Sequence, residues 1–177
     1  MSPVLSRLAE RTLIGIAGSA GDREPDLMVL RVSSLVEVYV DDLLDSLAAR
    51  HLAGESDFAI SVSELVTAQL HQNWPQRRLW LRQSFGVSLD GTVEDQDFSL
   101  LVELRNAIAH GGGRLTFLQR KTLAAQLTMQ DRFTRRLGVH CDGVHVACTE
   151  ATSSLAIRVA SDYVRSLDAQ AAPHLLA

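Results

Sequence analysis

A long apolar stripe after Asp26 constrains the fold of this chain more than any other feature of its sequence. Its members recur at intervals of three and four positions: Val29, Val32, Val36, Val40, Leu43 and Leu47. This spacing puts all of them on one face of an α-helix. We therefore predict a long core helix that is capped by Asp26 and ends near residues 50–56.

Shorter stretches with helical spacing lie on both sides of this segment. Ser2 and Pro3 have the residue types of a cap and a first helical position, and they predict an N-terminal helix that stops at the break over residues 18–26. Residues 60–74 predict a third helix, with Ser61 or Ser63 as its cap.

The middle of the chain continues in the same way. Pro75 begins a predicted fourth helix, which Gly86 ends. After a turn-rich connector over residues 88–97, residues 98–110 predict a fifth helix. The segment from Gln119 to Leu137 predicts one or two further helices.

The period then changes from helical to alternating. The Asp-Gly pair at 142–143 predicts a hairpin in which Cys141 faces Val144 and Val139 faces Val146. Helical spacing returns over residues 149–170, with Thr149 as a cap and Pro173 in the tail. The expected fold is mainly α, a helical bundle with one small β-hairpin before the C-terminal helix.

The hairpin sequence "HCDGVHVAC" contains two histidines and two cysteines, and thus the residue types of a zinc site. On the expected register, however, His140 and His145 share one face, whereas Cys141 and Cys148 share the other. Two ligands on each side cannot complete a tetrahedron, so we expect no metal site.

Composition restricts the class of protein. The 177 residues fit one domain over 1–177, and 46% hydrophobic and 21% charged residues are typical of a globular protein. A net charge of -4 argues against a protein that coats nucleic acid nonspecifically. We expect no membrane span, no secretory signal and no cofactor, and the two cysteines favour a cytoplasmic location.

The stretch "ELRNAIAHGGG" contains the most unusual polar residues of the chain. On a helical wheel Arg105 falls within the apolar arc of its helix, where a guanidinium needs an anionic partner. Asn106 and His110 are four positions apart and can share a hydrogen bond. Arg105 is thus either half of a structural salt bridge or half of an active site.

The six residues "RNAIAH", from Arg105 to His110, resemble the signature of the HEPN ribonucleases. The pattern "SSLVE" at 33–37 also matches, and the hairpin with the final helix looks like the RiboL-PSP-type branch of that superfamily. The resemblance covers residues 26–168. It implies a HEPN-like helical bundle, a homodimer with a shared site, and cleavage products with a 2′,3′-cyclic phosphate.

The implied activity is metal-independent endoribonuclease cleavage by attack of the 2′-hydroxyl. Histidine suits proton transfer because its ordinary pKa is about 6.5, and arginine suits the charge that grows on phosphate oxygens. One chain supplies one such histidine, so a dimer would supply the second. The expected catalytic residues are Arg105, His110 and Asn106, with Asn106 orienting His110. Glu37 is the expected acidic partner of Arg105, and Arg114 is expected to contact the RNA backbone.

The resemblance also suggests a toxin, stress or antiphage role, with an antitoxin or regulatory protein as a possible partner. Some HEPN toxins have a tyrosine two residues after the histidine that receives a regulatory nucleotide, but this chain has Gly112 there. The alternative function is a HEPN module that binds RNA or regulates without cleaving. A structural helical dimer, in which Arg105 only pairs with a carboxylate, is a third.

A second segment, "NWPQRRLWLRQ", interleaves Trp74 and Trp80 with three arginines, Arg77, Arg78 and Arg82. Such a mixture can grip single-stranded RNA. The tryptophans can equally be core residues, with the arginines solvated, and we favour that interpretation.

Overall fold

The computed structural model of the chain describes residues 5–21, 24–53, 56, 61 and 70–176. Within this part lie the helices α1 (Arg7–Gly18), α2 (Pro25–His51), α3 (Trp74–Phe85), α4 (Val93–Ala109), α5 (Leu123–Leu137) and α6 (Glu150–Leu176). The strands β1 (His140–Asp142) and β2 (His145–Ala147) form an antiparallel pair. Short 3-10 turns span Ser19–Gly21 and Leu118–Arg120. The prediction of a mainly helical chain with one small hairpin before the C-terminal helix is confirmed.

Helices α2 and α6 form the centre of the bundle, and α1 and α4 each pack against both of them. All six residues of the predicted stripe on α2 are at most 2% exposed. The facing side of α6 contributes small side chains, including Ala156, Ala160 and Ala171, which are fully buried. Small residues allow close approach of the two backbones, so the long helices share one apolar core.

A buried carboxylate links three of these helices. Asp168 of α6 is 2% exposed and accepts hydrogen bonds from the Ser6 backbone N–H (2.8 Å), the Ser6 hydroxyl (2.5 Å) and the Tyr39 hydroxyl (3.2 Å). Ser6 also caps α1 by accepting from the Ala9 N–H. The first turn of α1 is therefore held against α2 and α6.

Several predicted helix starts were wrong. Helix α1 begins at Arg7, while the proposed cap Ser2 and Pro3 lie outside the described residues. Helix α2 begins with Pro25, and Asp26 lies inside its first turn instead of capping it. Proline is favoured at a first helical position because it lacks an N–H that would have no partner there.

The start of α4 was also wrong, because much of the predicted connector over 88–97 is helical. Thr92 caps the helix by accepting from the Asp95 N–H at 3.2 Å, and Glu94 and Asp95 lie in the first turn, where the helix dipole favours negative charge. The cap followed by an acidic first turn was a sequence signal for this boundary.

Helix α3 matches its prediction closely. Asn73 caps it, Pro75 lies in its first turn, and Gly86 ends it in the left-handed conformation, with φ of 67°. The predicted third helix over 60–74 falls mostly outside the described residues.

The predicted segment from Gln119 to Leu137 contains a 3-10 turn and α5, which ends at Gly138. Thr149 caps α6, since its hydroxyl accepts from the Thr152 N–H at 3.2 Å. The tail prediction for Pro173 was wrong, because α6 continues through it to Leu176.

The hairpin forms with a different register from the expected one. Cys141 pairs with Val146, and Asp142 pairs with His145, so that the turn consists of Gly143 and Val144. Gly143 supplies the positive φ of 56° that this tight turn requires. Val146 still faces the core, while His140 and His145 remain exposed.

No helix in the described ranges combines the length and the apolar character that a bilayer crossing requires.

Candidate functional site

The C-terminal end of α4 brings Arg105 and His110 into direct contact. Nη1 of Arg105 lies 2.9 Å from Nε2 of His110 and 3.3 Å from Oδ1 of Asn106. Arg105 and Asn106 are half-buried, and His110 is exposed at the helix end. One guanidinium nitrogen therefore lies within hydrogen-bond distance of both other residues of the motif.

This contact defines the donor and the acceptor of the pair. A guanidinium has only donors, so a hydrogen bond across this distance requires Nε2 of His110 as the acceptor. The electron pair on Nε2 becomes available to another proton when Arg105 turns to a ligand. The pair thus combines a permanent cation with a proton acceptor.

Asn106 does not bind His110 through its side chain as expected. Its amide oxygen accepts from Arg105, and its backbone carbonyl accepts from the His110 N–H at 3.0 Å. One Nη1 touches both side chains, so the structure links Asn106 to the imidazole only through Arg105. The positioning role of Asn106 stays a prediction.

The glycines after His110 pack the chain closely. A Cβ at Gly111 would lie 1.9 Å from the carbonyl oxygen of Arg114 and 2.6 Å from that of Ala107. The N–H groups of Gly111 and Gly113 both donate to Ala107, at 3.1 Å. The turn that positions His110 therefore has no room for a side chain at its first glycine.

The same turn docks on the hairpin. Val146 N–H donates to the Gly113 carbonyl at 2.9 Å, and Leu115 N–H donates to the Val144 carbonyl at 2.8 Å. Arg114 lies between these contacts, with its backbone bridged to His145 and its side chain exposed. Arg114 is not among the residues that line the cleft described next. The structure does not bring it together with the other candidates.

Arg105 and His110 lie in an open cleft of about 380 Å³. Its walls come from α2, the start of α3 and the second half of α4. The lining residues are Glu37, Gln72, Asn73, Trp74, Pro75, Arg77, Val102, Glu103, Arg105, Asn106 and His110. Four of the five expected site residues thus face one cavity.

Glu37 lines this cleft, but its ion-pair partner is Arg77 and not Arg105. Nη1 of Arg77 lies 3.1 Å from Oε1 of Glu37, and Nε of Arg77 lies 2.7 Å from Oδ1 of Asp41. The expected Glu37–Arg105 pair was therefore wrong. Two carboxylates face one guanidinium here, and this leaves an excess of negative charge beside the cleft.

Arg77 lines the cleft and is buried, so its expected solvated position was wrong. Its side chain is 5% exposed, and its Cζ lies 5.4 Å from the centre of the Trp74 ring. Burial alone would lower the pKa of Arg77, but the hydrogen bonds and charges of Asp41 and Glu37 raise it above its ordinary value. The signal was its spacing, since Arg77, Leu81 and Phe85 recur every four positions on the buried face of α3.

Both tryptophans pack against the core, as we favoured, but the expectation that the arginines are solvated fails for Arg77. Trp74 packs edge-on against Phe98, with ring centres 4.9 Å apart, and Trp80 also packs against the core. Arg77 is buried, whereas Arg78 and Arg82 keep 28% and 54% of their side chains exposed.

Arg105 has no carboxylate within salt-bridge distance in the described part of the chain. Glu103, the nearest acidic residue in sequence, accepts instead from the Gln119 side chain at 2.6 Å. The charge of Arg105 thus faces the cleft and His110. This arrangement suits an anionic ligand better than a structural ion pair.

The described residues contain no cluster of three or more histidine, cysteine, aspartate or glutamate side chains that could hold a metal ion. No family model, curated protein or solved structure matches the chain.

Proposed function

We propose that this chain is a metal-independent endoribonuclease of HEPN type, which cleaves RNA at the Arg105–His110 pair. The 2.9 Å contact between the guanidinium and the accepting Nε2 carries the proposal. It combines in one open cleft two of the three groups that phosphodiester cleavage by an internal nucleophile needs, a fixed cation and a proton acceptor.

The reaction follows from these two groups. Arg105 binds the non-bridging oxygens of the scissile phosphate and stabilises the negative charge that grows on them. When Arg105 turns from His110 to the phosphate, Nε2 of His110 is free to take the proton of the 2′-hydroxyl, whose oxygen then attacks the phosphorus. The bond from phosphorus to the 5′-oxygen breaks, and that oxygen takes a proton. The products are a 2′,3′-cyclic phosphate and a 5′-hydroxyl.

The leaving oxygen needs a proton donor, and the cleft of one chain contains a single histidine. A second copy of the chain supplies the other as an imidazolium in this proposal. We assign the contacting surface to the exposed apolar patch, defined here as four side chains that follow the glycine turn in the chain and are 55–75% exposed: Phe117, Leu118, Leu123 and Leu127. Gln119 ties this patch to the cleft, because its side-chain amide donates to the Glu103 carbonyl at 2.7 Å.

The alternative function is RNA binding without cleavage, which the single histidine per cleft would favour if the chain were a monomer. A role as a toxin or antiphage effector, with an antitoxin or other regulatory partner, rests on the resemblance of the motif alone. Either function places RNA phosphate at Arg105.

The decisive experiment incubates the purified protein with RNA in the presence of EDTA, beside Arg105→Ala and His110→Ala. His140→Ala is the matched control, because His140 is an exposed histidine on β1 that does not line the cleft. We expect chelator-resistant cleavage by the wild type and by the control, and none by the two site variants.

A substrate with a 2′-deoxy nucleotide on the 5′ side of the cut should resist cleavage, since it lacks the nucleophile. Cleavage that persists in both site variants, or at the deoxy position, would contradict the proposed mechanism. Intact RNA that nevertheless binds the wild type would favour the alternative.

A further inference from the structure

A second groove continues from the catalytic cleft along α3 and α4. Its volume is about 360 Å³, and it shares Trp74, Pro75, Val102 and Glu103 with the cleft. Because these four residues border both cavities, the groove adjoins the cleft. Each cavity has the volume of a small-ligand site.

The groove has one apolar wall and one exposed cation. Trp74, Pro75, Leu79 and Val102 provide the apolar surface. Arg82 lies in the groove with 54% of its side chain exposed, and its Nη1 contacts Asp90 at 2.8 Å. Such a pair at the surface is weak, because both ions remain hydrated, and a phosphate can compete with the carboxylate.

The other groove arginine is less available. Arg78 donates to the Ser99 hydroxyl at 2.7 Å and contacts Asp95 at 3.1 Å, and its side chain is 28% exposed. Arg82 is therefore the guanidinium of this groove that can turn toward a ligand with the smallest loss of existing contacts.

We propose that this groove binds the nucleotide next to the scissile phosphate of single-stranded RNA, with its base against the apolar wall and its phosphate on Arg82. The inference rests on the proposed function and adds to it a substrate subsite and a strand path. A paired base is stacked and cannot reach the wall, so the groove selects unpaired RNA over duplex. Asp90 lowers the affinity because it competes for Arg82.

The test measures the binding of a short fluorescent single-stranded RNA by anisotropy, at several salt concentrations. All proteins carry His110→Ala, so that the RNA is not consumed. Arg82→Ala and Asp90→Asn are compared in this background with Arg165→Ala. Arg165 is the matched control, since it is 55% exposed, pairs with Asp162 on α6 and lines neither cavity.

Arg82→Ala should weaken binding roughly tenfold, as expected for one charge-assisted hydrogen bond. It should also reduce the slope of log affinity against log salt by about 0.7, the value for one phosphate contact with a single strand. Asp90→Asn should tighten binding, and Arg165→Ala should change neither quantity. Because a general loss of stability would weaken binding in both variants, tighter binding in Asp90→Asn together with weaker binding in Arg82→Ala identifies Arg82 as a ligand contact.

Binding by the parent protein with unchanged affinity and salt slope in Arg82→Ala would overturn the subsite and leave the proposed function standing. Binding of duplex RNA as tightly as single-stranded RNA would also overturn the subsite. If the parent binds no RNA at all, the proposed function fails together with the subsite.

Discussion

Arg77 of α3 holds Asp41 of α2 through two hydrogen bonds, from Nε at 2.7 Å and from Nη2 at 2.9 Å. The remaining Nη1 reaches Glu37, one helical turn earlier on α2. A single buried guanidinium thus connects two helices and fixes the carboxylate that borders the Arg105–His110 cleft.

The substitution Arg77→Ala should destabilise the protein by about 3 kcal/mol. It leaves Asp41 and Glu37 without their cation, but both keep part of their exposure, so we expect the lower end of the cost of breaking a buried pair. Urea unfolding measures this change. Arg82→Ala removes an exposed pair and should cost less than about 1 kcal/mol. Equal losses in the two variants would contradict the structural role of Arg77.

Arg105→Ala should leave the free energy of unfolding within about 1 kcal/mol of the wild type, because no carboxylate loses its partner. Its effect should fall on RNA cleavage. Arg105→Lys keeps the charge but loses the planar fork that can bind two phosphate oxygens at once, so we expect cleavage to fall here as well. A loss of several kcal/mol in Arg105→Ala would instead support the structural salt-bridge interpretation.

Gly111→Ala should displace the turn that carries His110, since the new Cβ would meet two backbone carbonyl oxygens. We expect a loss of at least about 2 kcal/mol and greatly reduced cleavage. Gly18→Ala is the control, because nothing lies within 4 Å of its Cβ position and helical alanine is favourable. Comparison of the two by thermal unfolding tests the claim, and wild-type behaviour of Gly111→Ala would refute it.

The two tyrosines make the protein sensitive to alkali. Burial first, and then Asp168, raise the pKa of Tyr39 above its ordinary range, and burial raises the pKa of Tyr163 from 10 to about 12. Above pH 10 the unfolded chain therefore loses protons that the folded chain retains. Stability present below pH 10 is then lost as the pH rises, by up to about 1.4 kcal/mol per pH unit for each tyrosine.

Absorbance of tyrosinate, followed together with circular dichroism, measures this linkage. The tyrosinate signal and the loss of helix should appear at the same pH. Tyr39→Phe should reduce the pH dependence of stability above pH 10. Tyrosinate formation in a chain that is still fully helical would show that these hydroxyls are accessible.

The dimer of the proposed mechanism should depend on the exposed apolar patch. Replacement of Phe117 and Leu123 together by serine should lower the mass measured by sedimentation to that of one chain, and cleavage should fall with it. Ile14→Ser, at a similarly exposed residue on α1, is the control. A wild type that is monomeric at concentrations where it cleaves RNA would contradict the shared site.

Local chemistry in the sequence was enough to predict most of the helical architecture. The apolar spacing of α2, the end of α3 at Gly86 and the cap Thr149 each involve residues within a few positions of one another. Arg105, Asn106 and His110 lie within six consecutive positions at the end of one helix, so their common location also follows from local structure. Where neighbouring residues gave more than one signal for a helix start, the predicted start was wrong, as in α2 and α4.

The register of the hairpin is a feature that neighbouring residues in the sequence do not determine. Asp142 and Gly143 predicted a turn, but whether the turn is centred on that pair or one residue later depends on which pairing suits the surroundings. The Gly113 and Leu115 backbones bind Val146 and Val144, and these contacts are compatible with the observed register.

By itself, the sequence determined the mainly helical fold, the buried stripe on α2, the small hairpin and the placement of Arg105 and His110 at the end of one helix, because these depend on backbone periodicity and on neighbours in the chain. Tertiary structure alone decided that Glu37 and Asp41 take Arg77 as their partner, that Ser6 reaches Asp168, and that Arg105 is left facing an open cleft. Those outcomes depend on which helix faces pack against each other, because ion pairs between residues distant in sequence form only when packing brings their helices together.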